Sequence, residues 1–363
     1  MSRTKIIISG GGTGGHIFPA ISIANALKKN DPKTDILFIG ASNRMEMERV
    51  PQAGYPIVGL PVSGFDRKNL LRNIAVLWRL LKSLILAYKT IKKFKPDAVV
   101  GVGGYASGPT LKIASMMNIP TIIQEQNSYA GVTNKLLAKK ASAICVAYED
   151  MEKFFPKDKI IITGNPIRQD LVVPNIDKAE AYKYFDLDPS KKTLLIIGGS
   201  LGALTINKSI EKGLTRLSDS GIQVIWQTGK SYDPSRVVIP ENVKQMHFIS
   251  RMDYAYSVAN LVVSRAGASS ISELCILEKP SIFVPSPNVA EDHQTKNAEA
   301  LSKRNAAVLV KDINAETSLV EEALRLINNE AKLRELQRSI APLALHRSAE
   351  KIAAIVEEQS SKR

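Results

Sequence analysis

Four times along this chain a short apolar run of strand length breaks off into glycines or other small residues and then enters a helical pattern. Lys5-Ile-Ile-Ile-Ser9 runs into Gly10-Gly-Gly-Thr-Gly-Gly-His16, and Asp97-Ala-Val-Val100 into Gly101-Val-Gly-Gly-Tyr-Ala-Ser-Gly108-Pro109. Thr193 to Ile197 runs into Gly198-Gly-Ser-Leu-Gly-Ala203, and Leu261-Val-Val263 into Ala266-Gly-Ala-Ser-Ser270. Strands that alternate with helices in this way pair in parallel, because each crossover helix returns the chain to the same end of the sheet. The expected fold is therefore α/β, with doubly wound parallel sheets. Such sheets bind ligands outside the carboxyl ends of their strands, which is where these loops lie.

At 363 residues, 44% of them hydrophobic, the chain is long enough for two domains with separate cores. A polar, proline-containing stretch over residues 173–192 follows Gly164-Asn-Pro-Ile-Arg168, so the boundary is expected between 1–164 and 165–363, with the last helix free to pack back on the first domain. Cys145, in an apolar run, and Cys275, on a helix, offer neither a disulfide framework nor a ligand cluster, which fits core positions and a reducing compartment. The chain enters a strand at once and has no run of about 18 uninterrupted apolar residues, so neither a signal peptide nor a spanning helix is expected. Asp186-Leu-Asp188 imitates a metal-binding DxD, but Pro189 follows and no strong apolar strand precedes it, which reads as a linker turn.

The net charge of +14 is unevenly spread. Residues 1–164 hold 23 Lys+Arg against 11 Asp+Glu, a net of +12, whereas residues 165–363 hold 26 against 24, a net of +2. Much of the excess lies on the helix-forming segment from Leu70 to Lys95, where no acid occurs between Arg67 and Pro96. One face of that helix must cover a sheet. Ile74, Leu77, Trp78, Leu81 and Ile85 leave a second apolar patch among basic residues, a pattern that fits an anionic membrane surface better than nucleic acid.

Two of the small-residue loops allow sharper readings. The first matches GxGxxG at Gly10, Gly12 and Gly15, but the dinucleotide pattern also wants an acid at the end of the second strand, where this chain has Gly40-Ala41. The fourth opens a helix at Ala268-Ser269-Ser270-Ile271-Ser272-Glu273. Its unpaired amides and positive dipole end would favour a phosphate, with Glu273 on a ribose diol. Alternatively, Ser270 and Glu273 form a capping box and nothing more.

The ordered set GGGTGGHIFPA (10–20), GVGGYASGP (101–109), EQN (125–127), GNPIR (164–168), GGSLGA (198–203), RAGASSISE (265–273) and EDHQ (291–294) resembles the MurG-type enzymes. These are bacterial N-acetylglucosaminyltransferases that convert lipid I to lipid II in peptidoglycan synthesis. The resemblance covers nearly the whole chain. It implies a GT-B architecture of two Rossmann-like domains facing a central cleft: an acceptor- and membrane-binding N-terminal domain and a UDP-GlcNAc-binding C-terminal one. It further implies a peripheral location on the cytoplasmic face of the plasma membrane, no cofactor and no metal at the donor site, and no nucleic acid partner.

Carried over by motif, Ser200 and the amides of Ser269 and Ser270 hold the diphosphate, with Ile271 and Ser272 on the same turn. Glu273 holds the ribose, the Ile249 backbone the uracil, and Arg168 the nucleotide. Gln294, Asn127 and the Ala268 backbone address the sugar. Thr13, Gly14 and Gly15 belong to the donor-contacting set and, with Gly103, Gly104 and Tyr105, face the acceptor. Two positions depart from the pattern: Gln124 stands where some members carry histidine, and Leu201 where glutamine is common.

The reaction implied is an inverting displacement that needs a base for the acceptor hydroxyl. His16, at a helix N-terminus where the dipole disfavours the imidazolium, is the candidate, and Glu125, at the end of another strand, is the rival. A sugar-nucleotide epimerase would share the fold but has little use for the basic apolar helix. A non-catalytic membrane protein would need neither Asn127 nor Gln294.

Overall fold

The computed structural model describes residues 3–64, 72–167, 171, 176–199, 201–233, 235 and 237–362. Its chain divides into two compact units, Met1–Arg168 with His346–Arg363, and Gln169–Leu345.

In the first unit seven strands, β1 (Lys5–Ser9), β2 (Asp35–Ala41), β3 (Ile57–Leu60), β4 (Ala98–Gly101), β5 (Thr121–Glu125), β6 (Ala143–Val146) and β7 (Ile160–Ile162), form one sheet in the order β3-β2-β1-β4-β5-β6-β7. Every pairing is parallel. The helices are α1 (Gly14–Asn30), α2 (Glu46–Gln52), α3 (Arg72–Phe94), α4 (Ser107–Met116) and α5 (Val132–Ala138). Side chains alternate across a strand, so Ile6 and Ile8 bury against Ile17, Ile23 and Leu27 of α1, while Ile7 turns to the opposite face with Ala87 and Ile91 of α3 and Leu111 of α4.

In the second unit β8 (Thr193–Ile197), β9 (Gln223–Gln227), β10 (Val243–Met246), β11 (Leu261–Ser264), β12 (Ser281–Phe283) and β13 (Val308–Leu309) pair in parallel in the order β10-β9-β8-β11-β12-β13. Its helices are α6 (Lys178–Tyr184), α7 (Leu204–Asp219), α8 (Met252–Val258), α9 (Ala268–Ile276), α10 (His293–Ser302), α11 (Asp312–Ile327) and α12 (Glu330–Ile340). The chain closes with α13 (Ser348–Ser361).

The structure differs from the sequence reading in several places. The division falls at Arg168/Gln169 instead of 164/165; α13, which the sequence left free to pack back, lies in the first unit, where Ala349, Ile352, Ala353 and Val356 join the core beneath α1. The stretch read as linker contains α6, nucleated by Asp177, whose carboxylate accepts from the amides of Ala179 and Glu180. Helix α1 begins at Gly14, which places His16 in its first turn. Strand β10 stops at Met246, so Ile249 lies in the loop that follows it. Both cysteines are core residues, and burial pushes their thiols up to about 12.

Candidate active site

In both sheets the strand order reverses direction at a pair of neighbouring strands, β1 and β4 in the first unit and β8 and β11 in the second. At such a switch point the flanking helices leave on opposite faces and open a crevice at the carboxyl ends of the strands. All four small-residue loops sit at these two places.

At the first switch point, Thr13 is the extended N-cap of α1, and Gly14, Gly15 and His16 form its opening turn. His16 Nδ1 lies 3.1 Å from the carbonyl oxygen of Gly11 and 3.3 Å from the Thr13 hydroxyl. A carbonyl can only accept, so Nδ1 carries the proton and Nε2 is the basic nitrogen of the neutral ring. The loop after β4 closes on the other edge of the imidazole. Gly103 has φ +91°, and a Cβ on it would lie 2.9 Å from both Cδ2 and Nε2 of His16. Gly104 follows in the same loop, and Tyr105 is exposed beside Gly64.

The rival base is differently placed. Glu125 is 2% exposed, and its oxygens accept from the amide of Asn127 at 3.1 Å, the Asn127 side chain at 3.2 Å, the Gly131 amide at 3.0 Å and the Asn134 side chain at 2.8 Å. A carboxylate whose lone pairs are committed to four donors offers little to a substrate proton. The geometry therefore assigns Glu125 to holding the loop that carries Asn127. Gln124 is also buried and inert: its amide donates to Asn165 at 2.9 Å and accepts from Gln126, which in turn donates to Val102 O at 2.6 Å.

At the second switch point α9 has Gly267 as its N-cap, with no side-chain capping bond. The first intrahelical bond runs from the Ile271 amide to Gly267 O at 3.0 Å, which leaves the amides of Ala268, Ser269 and Ser270 without partners inside the helix. The capping-box reading of Ser270 and Glu273 is thus set aside. Ser270 lies inside the helix, and Glu273, buried, accepts from the Tyr256 hydroxyl at 3.2 Å. Neither α9 nor α7 carries an acid of its own in its first turn to offset the positive end of its dipole. The Ser269 hydroxyl oxygen, in the first turn of α9, is buried with no hydrogen-bond partner. Ser272 Oγ, by contrast, donates to Ala268 O within the helix, and the Ile271 side chain is core.

Gln294, in the first turn of α10, accepts from the Ser286 amide at 2.8 Å through Oε1, and its NH2 group takes no part in that bond. Ile249 buries its side chain. Ser200 and Arg168 lie outside the described residues. In Asp186-Leu-Asp188, Asp186 pairs with Lys244 at 2.7 Å and Asp188 accepts from the Ser190 amide and hydroxyl; these bonds hold both carboxyls below the usual range, as a turn requires.

Sequence reasoning missed Arg265. Its guanidinium donates to Val284 O at 3.0 Å, to Pro285 O and to Asp312, whose other oxygen takes the Thr205 hydroxyl at 3.0 Å. The group ties together the starts of α7, α9 and α11. Partners this far apart in sequence leave no local signal.

Along α3, Val76, Ser83, Ala87 and Ile91 are buried, whereas Leu77, Trp78, Leu81, Ile85 and Tyr88 are exposed, Trp78 at 62%. Arg79, Lys82, Lys89 and Lys92 are exposed on the same helix. The Ile74 side chain, with Leu70 and Leu71, lies outside the described residues. Among the described residues no helix is long and apolar enough to cross a membrane.

The chain matches the glycosyltransferase family 28 N-terminal domain over residues 6–146 and the glycosyltransferase family 28 C-terminal domain over residues 193–355. It is 62% identical over 355 residues to a Phocaeicola vulgatus protein named UDP-N-acetylglucosamine--N-acetylmuramyl-(pentapeptide) pyrophosphoryl-undecaprenol N-acetylglucosamine transferase, covering 96% of this chain and 94% of that one. A Flavobacterium psychrophilum protein of the same name is 52% identical over 369 residues, covering 99% and 100%. Among solved structures, Acinetobacter baumannii MurG superposes with a TM-score of 0.80 at 26% identity over 98% of this chain and 99% of that one. A UDP-N-acetylglucosamine 2-epimerase from Listeria monocytogenes, described as putative, superposes at 0.72 with 12% identity over 100% and 98%, a likeness of fold alone.

Proposed function

Because this chain belongs to glycosyltransferase family 28, we propose that it is a UDP-GlcNAc-dependent N-acetylglucosaminyltransferase of peptidoglycan synthesis that moves GlcNAc onto lipid I to give lipid II. The observation that carries this reading is the start of α9, where three amides without partners inside the helix, a first turn with no acid and the orphan Ser269 hydroxyl come together at a switch point. That set suits a diphosphate, and Glu273, one turn further on and held by Tyr256, suits the ribose beside it.

The transfer is a single inverting displacement. The 4-hydroxyl of the N-acetylmuramyl residue attacks the anomeric carbon of GlcNAc, the bond to the diphosphate breaks, and UDP leaves with the electron pair. The charge that grows on UDP is met by donors already in place at Ala268, Ser269 and Ser270, which need no reorganisation during the step. His16 takes the hydroxyl proton at Nε2, the nitrogen left basic by the bond from Nδ1 to Gly11 O. Asn127 and the Gln294 NH2 address the sugar hydroxyls, the Ile249 backbone reads the uracil, and the loop at Gly103, Gly104 and Tyr105 receives the acceptor together with Thr13, Gly14 and Gly15.

The acceptor is a lipid, and α3 is the surface that would reach it. Its exposed apolar stripe, flanked by Arg79, Lys82, Lys89 and Lys92, suits the interface of an anionic bilayer. We place the protein as a peripheral enzyme on the cytoplasmic face of the plasma membrane. Incubation with labelled UDP-GlcNAc and a lipid I analogue should yield labelled lipid. Folded protein that binds UDP yet labels no lipid would overturn the reading.

A further inference from the structure

Glu46 lies outside every motif that points to the reaction, yet it is 1% exposed and its carboxylate is spent on the first glycine loop and the end of β2. Although it opens α2, it does not cap that helix. Oε1 accepts from the Ala41 amide at the end of β2, at 2.9 Å, and Oε2 from the Gly12 amide in the first glycine loop, at 3.0 Å. The loop is shaped around this side chain: Gly11 has φ +147°, and a Cβ there would overlap Oε1 of Glu46. A buried carboxylate is costly unless donors meet its charge, and donors to it are in turn held more firmly than in a neutral pair.

Two consequences follow for the neighbouring groups. The Gly12 amide, one that a dinucleotide loop of this sequence would offer to a phosphate, is already occupied by an anion of the protein's own. The Gly11 carbonyl, one residue away, is the acceptor that fixes the His16 tautomer.

We propose that Glu46 is a positioning residue for the transfer: as a resident anion it locks Gly11 and Gly12 so that the Gly11 carbonyl holds His16 with Nε2 basic. This rests on the reading of His16 as the base. Glu46 touches no substrate; it acts through the loop, as outer partners of catalytic imidazoles do elsewhere.

The test compares steady-state kinetics and UDP calorimetry for Glu46→Ala, Glu46→Gln, His16→Ala and the Glu46→Ala/His16→Ala double variant. Glu46→Ala should lose on the order of 10²-fold in kcat, the scale of a small misplacement of a reacting group, while UDP affinity and the KM for the sugar nucleotide stay unchanged. Adding it to His16→Ala should cost nothing more, because the two act as one unit. Glu46→Gln keeps the shape but turns an amide NH2 against one of the two backbone donors; it should show the same loss confined to kcat, and it decides the matter where Glu46→Ala does not fold. Full kcat in a folded Glu46 variant, a parallel loss of UDP affinity, or losses that multiply with that of His16→Ala would overturn the proposal. Full turnover in His16→Ala, a variant with Glu46 intact, overturns instead the reading on which it rests.

Discussion

His16 and Gly103 meet edge to backbone across the first switch point: a Cβ on Gly103 would stand 2.9 Å from both Cδ2 and Nε2 of the imidazole. The loop after β4 therefore sets one side of the ring while Gly11 sets the other. Only glycine satisfies both the contact and the φ of +91°.

Gly103→Ala should consequently displace the ring and strain the loop, lowering kcat by about 10²-fold. UDP binding should be unaffected, since the diphosphate and ribose groups at the start of α9 belong to the second unit. Stopped assays with calorimetry in parallel check this, and an alanine variant of undiminished kcat would remove the His16–Gly103 pair from the reaction.

At the start of α9 two substitutions separate binding from folding. Glu273→Ala should weaken UDP binding by about 1.5–3 kcal/mol, the range for a hydrogen bond to a charged group. Ser269→Ala should weaken it by about 0.5–1.5 kcal/mol yet leave the unfolding midpoint of the unliganded protein undiminished, because its hydroxyl has no partner to lose. Unchanged UDP affinity in both would move the donor elsewhere.

For α3, Trp78→Glu with Leu81→Glu should abolish sedimentation with vesicles containing anionic lipid and leave the fold intact, since both side chains are exposed. Replacing Lys82 and Lys89 by Gln should weaken the same binding by about 1 kcal/mol each, less at high salt. Binding that is equal on neutral and anionic vesicles would eliminate the electrostatic part.

Lys279 gives a pH signature. Burial, with Lys178 nearby, lowers its ammonium from 10.5 to about 8, and its Nζ donates to Ala259 O at 3.0 Å. Between those two values the unfolded chain binds the proton and the folded chain does not, so this group makes stability rise with pH across that window. Urea unfolding across the same range should show the rise in the parent protein and a flatter profile in Lys279→Met; identical profiles would show that the lysine carries no such linkage.

Much of this protein is written locally. The runs Lys5–Ser9, Thr193–Ile197 and Leu261–Ser264 are apolar enough to be buried on both faces, and the glycines that end them leave little choice but a parallel α/β sheet with ligands at the loops. The apolar stripe and missing acids of α3 were equally legible, because an exposed helical face is a property of spacing alone. What only the tertiary structure decided was which groups meet. His16 and Glu125 are both polar residues near strand ends in the sequence; the fold surrounds one with four donors and sets the other between Gly11 and Gly103. Likewise α13 shows an apolar face but not its partner, and packing puts that face under α1, more than 300 residues earlier in the chain. Glu46 reads as an ordinary first-turn acid until β2 and the first glycine loop are brought to it. Local patterns fix the conformation and polarity of a segment, whereas the state of a buried carboxylate or imidazole depends on donors and acceptors delivered from distant segments, and these pairings have no period for a sequence to display.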